Sequence, residues 1–304
     1  MRVLVLGGTG LIGSAVLREL VVRGATVLGL ARSEASAAKL AACGAVPFFG
    51  NIAAPERWVG KLPELDAVIH AACDFDSDMA GIDDRLLDGL LPALAAQGGG
   101  PRFIYTGGCW LFGSTGEAVA TETTPFEPLP AFAWMVPNLR RVLAAPGIAG
   151  IVIHPAMVYA DDGGVFDRFA CDAVDRHAVR VVASEAVRWP LVQADDLAQL
   201  YALALERAPT GSSYIGAAND GIPVGRIARA FASRSGTREQ EPEIVPAESV
   251  AAELGEWARG YARDQTLSGE KARRELGWQP AHLDPIDEIR WPVRSERGAA
   301  PTSS

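Results

Sequence analysis

Cysteine is scarce in this chain: Cys43, Cys73, Cys109 and Cys171 are the four among 304 residues, and no two form a CxxC pair. Scattered thiols of this kind argue against a disulfide framework and a cysteine-based metal site; they are expected to be free in a reducing cytoplasm. No uninterrupted apolar stretch is long enough to span a bilayer, so no membrane partner is expected. There is no long basic run and the net charge is −9, which argues against nucleic acid as the main partner. The first residues enter an apolar strand pattern directly, without a charged and then apolar leader, and no signal peptide is expected. These absences leave a cytoplasmic protein that acts on small molecules and holds no metal.

What is present is an ordinary globular composition, 49% hydrophobic and 21% charged, in a chain long enough to bury a sizeable core. The first half alternates two periodicities. Apolar runs at 2–6, 26–30, 46–49, 66–70, 102–106 and 150–154 read as strands, and helical spacing falls near 11–23, 34–43, 79–97 and 131–145. That alternation predicts an α/β fold with a doubly wound parallel sheet. The central strands are apolar throughout, as in a sheet covered on both faces. After about residue 160 short elements mix with Pro and Gly turns. The expected organisation is a core over 1–160, a smaller α/β substrate lobe over 161–294 with segments returning to the core, and a disordered tail over 295–304. Pro137 marks the helix near 131–145 as one whose geometry departs from a plain helix.

The clearest local signal is RVLVLGGTGLIGSAVLREL from Arg2 to Leu20. A buried strand is followed by Gly7, Gly8, Thr9 and Gly10 and then by helical spacing from Leu11. The glycines fit both Gly8-x-Gly10-x-x-Gly13 and Gly7-x-x-Gly10-x-x-Gly13. A strand, glycine loop and helix place a helix N-terminus where its backbone N–H groups and dipole favour a pyrophosphate. The loop is therefore expected to hold a dinucleotide through Gly7, Thr9, Gly10, Leu11, Ile12 and Gly13. At the end of the second strand no acid is present to accept from a ribose 2′-OH. Arg32 and Ser33 stand there instead, suited to a 2′-phosphate, so NADP(H) is favoured over NAD(H).

At this point the chain resembles the extended short-chain dehydrogenase/reductases, the NAD(P)-dependent epimerase/dehydratases. The resemblance rests on GGTGLIG at 7–13, GNI at 50–52, DAVIHAA at 66–72, FIYTGGCWLFG at 103–113, HPAMVY at 154–159, RWPLVQADDLAQLYALALE at 188–206 and KARRELGWQP at 271–280. It implies a Rossmann-like core and a C-terminal substrate lobe. It also implies that Asn51 and Ile52 lie by the adenine, Ala71 and Ala72 beside the cofactor, and Thr106, Pro155 and Val158 near the nicotinamide. A homodimer, by the same resemblance, would form through the helices near 79–97 and 131–145.

The departures concern the chemistry. The family's tyrosine position falls on Trp134, its lysine on Asn138 and its serine or threonine on Gly108. An indole exchanges no proton usefully at neutral pH and Asn138 carries no charge, so the chain is similar to atypical members that lack the Tyr-x-x-x-Lys pair. The acidic pair of the family's dehydratases is missing too. Candidates for a replacement acid or base are His154, where the family usually carries Arg, Tyr159 in a loop expected to face the crevice, and Asp74 in CDFDSD with Asp76 and Asp78. Set against these, His154 can simply hydrogen-bond at a strand end, Tyr159 can pack, and alternating acids can cap the next helix. Cys109 has no basic neighbour in sequence to activate it. Gly108, Cys109, Trp110, Trp134 and Asn138 form the expected substrate pocket, with Phe112 adding to an aromatic lining that suits an apolar or aromatic molecule. A sugar nucleotide would instead need arginines for its diphosphate, and Arg168, Arg180 and Arg188 are available. Asp195 and Asp196 read as helix-start residues, with Asp195 near the N-cap.

The expected function is an NADP(H)-dependent oxidoreductase acting on a carbonyl-containing small molecule with a nonstandard proton donor: His154, Tyr159 or an ordered water. A redox-neutral epimerase, isomerase or cyclase is the close alternative. A non-catalytic NADP(H)-sensing protein is the alternative of a different class.

Overall fold

The computed structural model describes residues 1–75, 77–161, 163–176, 178–235 and 241–290. The disorder expected of 295–304, the end of the lobe at 291–294, and Asp76 all lie outside the described residues. The first half runs β1 (Arg2–Leu6), α1 (Leu11–Val22), β2 (Thr26–Ala31), α2 (Glu34–Ala42), β3 (Val46–Phe49), β4 (Ala67–His70), α3 (Met79–Ala96), β5 (Arg102–Thr106), α4 (Met135–Leu143) and β6 (Ala149–Pro155). The second half follows with β7 (Met157–Ala160), β8 (Gly163–Gly164), α5 (Asp167–Asp175), β9 (Arg180–Val182), β10 (Arg188–Gln193), α6 (Ala194–Arg207), β11 (Ser212–Gly216) and β12 (Asn219–Pro223). It ends with α7 (Val224–Ser235), β13 (Glu243–Val245), α8 (Ala247–Leu254), α9 (Glu270–Leu276) and α10 (Pro285–Arg290).

Seven strands form one parallel sheet in the order β11-β6-β5-β4-β1-β2-β3. The alternation of strand side chains sends Val3, Val5, Ile69 and Ile104 into a core shared with α1 and α6. Leu4, Leu6, Val68, Phe103 and Tyr105 go to the opposite core, against α3 and α4. Both faces are thus covered, which is why these strands read as continuous apolar runs. Strand order reverses between β1 and β4, which pair in register at Leu6 and His70. Their carboxyl ends define the crevice in which such sheets bind ligands.

The helix expected over 131–145 is a short turn, Pro130–Phe132, followed by α4. Pro137 sits in the first turn of α4, where its missing N–H lacks an intrahelical partner in any case, so it neither kinks nor breaks the helix. The outer faces of α3 and α4 expose Asp84, Arg85, Asp88 and Arg140, a charged rather than apolar surface.

Beyond β6, a four-stranded sheet β12-β10-β7-β8 and a two-stranded sheet β13-β9 sit over the carboxyl ends of the large sheet. The chain also returns to the core: α6 packs on α1 and β11 pairs with β6. Asp195 and Asp196 stand in the first turn of α6, as expected; the N-cap is Gln193, whose side chain accepts from the Asp195 N–H. Asp196 is fully buried and accepts from the backbone N–H groups of Ala281 (2.9 Å) and His282 (2.8 Å). His282 Nδ1 completes the set at 3.1 Å.

The hydrogen bond from Asp196 raises the pKa of His282 above its ordinary value. A folded pKa above the unfolded one stabilises fully below about pH 6.5 and is lost as pH rises through the folded value. In His282→Ala, the melting temperature is therefore expected to fall below wild type most clearly near pH 5–6, with the two curves converging toward pH 8–9. A pH-independent gap in thermal scans would assign the loss to packing alone.

Candidate active site

The loop Gly7–Gly13 owes its shape to glycine at two positions. Gly7 has φ +83°, and a Cβ there would lie 2.5 Å from the carbonyl oxygen of Ala71. A Cβ at Gly13 would lie 2.1 Å from the Gly7 carbonyl oxygen. The first turn of α1 can pack on the loop only without these side chains. The Gly10 N-cap of α1 makes no side-chain capping bond and no acid occupies the first turn. The N–H groups of Leu11, Ile12 and Gly13 thus have no intrahelical acceptor, and Gly10, Leu11 and Ile12 open on the cavity below. A pyrophosphate fits this donor set. At the end of β2, Arg32 is exposed, and among the described residues it has no ion-pair partner. Ser33 caps α2 by accepting from the Ser36 N–H at 3.2 Å, and its hydroxyl also lies 3.1 Å from the Ser36 hydroxyl. Asn51 is tied into its own turn, its Oδ1 accepting from the Ala53 N–H at 3.0 Å. Ile52 lies beside Ala72 and Trp134 in a small recess.

The cavity has a volume of about 460 Å³ and lies between the carboxyl ends of β1, β4, β5 and β6 and the second lobe. It brings together Ala71, Ala72, Thr106, Gly108, Cys109, Trp110, Trp134, Pro155 and Val158. At Gly108 a Cβ would meet nothing within 4 Å, so the space beside this position belongs to the cavity. Trp134 turns its indole N–H onto the Ala131 carbonyl at 3.0 Å. Cys109 is buried, which pushes its thiol up to about 12; it is no nucleophile at neutral pH. Thr106 Oγ1 lies 2.7 Å from the hydroxyl of Tyr201, itself fully buried.

Several expected site residues fall elsewhere. His154 does not line the cavity; its ring is wedged edge-on against Phe112 at 5.3 Å and near Phe126 at 5.6 Å. Burial drives its pKa down to about 4. Phe112 is likewise core rather than pocket wall. Tyr159 lies in β7, not in a crevice loop. Strand alternation turns Val158 to the cavity and Tyr159 away, to stack on Phe166 at 4.7 Å and donate to Glu288 at 3.2 Å. Burial and the neighbouring Glu288 raise its pKa. Asn138 is buried beneath the cavity with its Nδ2 on Asp83 at 2.8 Å. Asp74 lines the small recess and accepts from the Ser77 hydroxyl at 2.9 Å, while Asp78 caps α3 through the Gly81 N–H at 3.0 Å.

The arginines proposed for a diphosphate are committed to the lobe. Arg180 is bidentate on buried Asp172, with contacts of 3.0 and 3.1 Å, and reaches Glu253 at 3.0 Å. Arg188 pairs with Asp264 at 2.7 Å. Arg168 donates to the Arg180 carbonyl at 2.7 Å and stacks 5.2 Å over Tyr261. Among the described residues, no arginine or lysine lines the cavity.

Other site residues went unread in the sequence. His70 and Asp83 line the cavity with Tyr105, and Trp257 and Tyr261 from the second lobe close an aromatic wall on Trp110 at 6.1 and 5.6 Å. Gln265 donates to the carbonyls of Cys109 and Phe112, both at 2.8 Å, and so fixes the turn that carries Trp110. A carboxylate among the core-facing positions Ile82, Leu86 and Leu87 of an amphipathic helix was the available signal for Asp83.

Comparison with known proteins places these features. The family model described as the NAD dependent epimerase/dehydratase family matches residues 3–216. An uncharacterized protein of Schizosaccharomyces pombe is 30% identical over 93% of this chain and 96% of its own. A Stigmatella aurantiaca 4-hydroxy-2-methyl-3-oxo-4-farnesyl-3,4-dihydroquinoline-1-oxide ketoreductase is 27% identical over 99% of both chains. Among solved structures, the human epimerase family protein with NADPH superposes with a TM-score of 0.78 at 20% identity, covering 96% of this chain and 100% of the other. A Streptomyces venezuelae dTDP-glucose 4,6-dehydratase with NAD gives 0.79 at 20% identity over 95% of each chain. The fold and the family are those of nicotinamide-cofactor proteins, and no helix among the described residues is long and apolar enough to cross a membrane. The chain belongs to the NAD dependent epimerase/dehydratase family, with an extended short-chain dehydrogenase/reductase fold.

Proposed function

We propose that the protein is an NADP(H)-dependent reductase of a ketone carried on an apolar or aromatic small molecule. The observation that carries this is the cavity: it opens from an uncapped helix N-terminus, is walled by aromatic side chains, and has no cation among its described lining residues for a sugar diphosphate. Reduced nicotinamide supplies a hydride when bound. Leu11, Ile12 and Gly13 present N–H donors to its pyrophosphate, and Arg32 with Ser33 meets its 2′-phosphate. Thr106 lines the cavity and shares a 2.7 Å hydrogen bond with the buried Tyr201 hydroxyl, which fixes its Oγ1 beside the substrate oxygen. Trp110, Phe132, Trp257 and Tyr261 exclude water from the rest of the molecule. The ketoreductase named above, whose substrate name includes a farnesyl group and a quinoline ring, supports the choice of substrate class.

Arg32→Ala should weaken NADPH binding about 10- to 100-fold, the worth of a charge-assisted contact of ~1.5–3 kcal/mol, and leave NADH nearly unchanged. Fluorescence titration with both cofactors checks this; equal losses would remove the preference for NADPH. Oxidation of NADPH dependent on an aromatic or prenylated ketone tests the reaction. Product formation without net cofactor consumption would turn the reading toward a redox-neutral isomerase.

A further inference from the structure

We propose that His70, held by Asp83, supplies and recovers the proton of the carbonyl reduction proposed above, on which this inference rests. Among the described residues lining the cavity, His70 is the one imidazole and Asp83 the one carboxylate. His70 ends β4, and Asp83 faces it from the first turns of α3, with Nε2 and Oδ1 2.7 Å apart. The other carboxylate oxygen accepts from the Tyr105 hydroxyl and from Asn138 Nδ2, both at 2.8 Å. Three donors on one carboxylate leave it no freedom to rotate, and together they outweigh its burial, so that Asp83 titrates below the usual carboxylate range. An ionised carboxylate only accepts, so Nε2 of His70 carries the proton of that bond. Nδ1 is then unprotonated and accepts from the Ala72 N–H over a long 3.4 Å, a contact that a proton on this nitrogen displaces.

The arrangement takes over the task of the tyrosine–lysine pair. In reduction, the substrate carbonyl carbon gains a hydride from reduced nicotinamide and the π electron pair moves to oxygen. That oxygen takes the proton from Nδ1 of the protonated ring. His70 returns to the neutral form with Nε2–H still on Asp83, and water reprotonates it. Oxidation runs the same steps in reverse. Asp83, Tyr105 and Asn138 are positioning residues; His70 is the group that meets the substrate. The titratable groups facing His70 are Asp83 from α3, Tyr105 from β5 (ring centroids 5.5 Å apart) and Cys73 and Asp74 from the following loop.

The test has two arms. In histidine nitrogen NMR of the NADP⁺ complex, His70 should show a protonated Nε2 and a bare Nδ1 that gains its proton on acidification. The opposite tautomer overturns the proposal whatever the enzyme turns over. His70→Gln keeps an amide able to donate to Asp83 but has no proton to exchange. It should bind NADPH within twofold of wild type while kcat falls at least 100-fold and its alkaline limb disappears. In His70→Ala, added imidazole should restore part of the turnover, which a purely structural histidine would not allow. Full activity in His70→Gln sinks the proposal and leaves the reductase reading standing. If wild type reduces no ketone while the NMR shows the expected tautomer, the reductase reading falls and the His70–Asp83 pair stands.

Discussion

Asp83→Ala should cost about 3–5 kcal/mol of unfolding free energy at pH 7, because it strands three buried donors at about 1–3 kcal/mol each. The carboxylate is 5% exposed and receives His70, Tyr105 and Asn138. Alanine removes the acceptor and leaves three donors in a site that water scarcely reaches, each worth about 1–3 kcal/mol when unsatisfied. The side chain's volume is the smaller part of the effect. Urea unfolding at pH 7 measures it, and a loss below about 1 kcal/mol would show that the donors find other acceptors. The sign with pH also follows. Because the folded Asp83 titrates lower than the unfolded one, its stabilisation is present above about pH 4 and is lost as pH falls through the folded pKa. The gap between wild type and variant should therefore narrow only in strong acid.

Much of this architecture is legible in the residues. Val3–Leu6, Ala67–Ile69 and Phe103–Tyr105 are apolar on both faces because helices cover both faces, and such runs announce a central parallel strand. The glycine loop is legible for a steric reason, since Gly7 and Gly13 stand where a Cβ would meet backbone at 2.5 and 2.1 Å. Catalytic geometry is legible only where the direction of a side chain is fixed by its element. Val158 and Tyr159 are neighbours in sequence and sit on opposite sides of β7, so a motif that places the segment at the cavity does not place both residues there. The His70–Asp83 pair joins a strand end to a helix across an irregular loop, and no periodicity links the two. Arg180 and Arg188 looked available because their carboxylates, Asp172 and Asp264, become neighbours only through the packing of the lobe. Asn138 was legible as an uncharged helix residue, but that its amide serves Asp83 follows only from the packing of α4 on α3.

His154→Leu should make the protein more resistant to acid and leave catalysis intact. The ring is 1% exposed, wedged between Phe112 and Phe126, and its Nδ1 has no hydrogen-bond partner. Burial lowers the folded pKa to about 4 from 6.5, outweighing the Gly108 backbone, which favours the charged ring. Between these values the unfolded chain binds the proton and the folded chain does not, so stability falls as pH drops from 6.5 toward 4. The difference amounts to roughly 3 kcal/mol at pH 4, at 1.36 kcal/mol per pKa unit. Leucine is of similar size, suits the same apolar contacts and has nothing to protonate. Urea midpoints at pH 7 and pH 4.5 measure the effect: wild type should lose stability between them by about 2–3 kcal/mol more than the variant. Parallel losses would mean that His154 keeps no depressed pKa in the fold. Activity separates the remaining alternatives, because a catalytic His154 would cost the leucine variant its turnover, whereas a buried packing residue behind Gly107 would not. Of the two histidines on this side of the sheet crevice, only His70 opens on the cavity, and the pair of substitutions His70→Gln and His154→Leu should divide cleanly: one loses rate and keeps its acid profile, the other keeps rate and changes its acid profile.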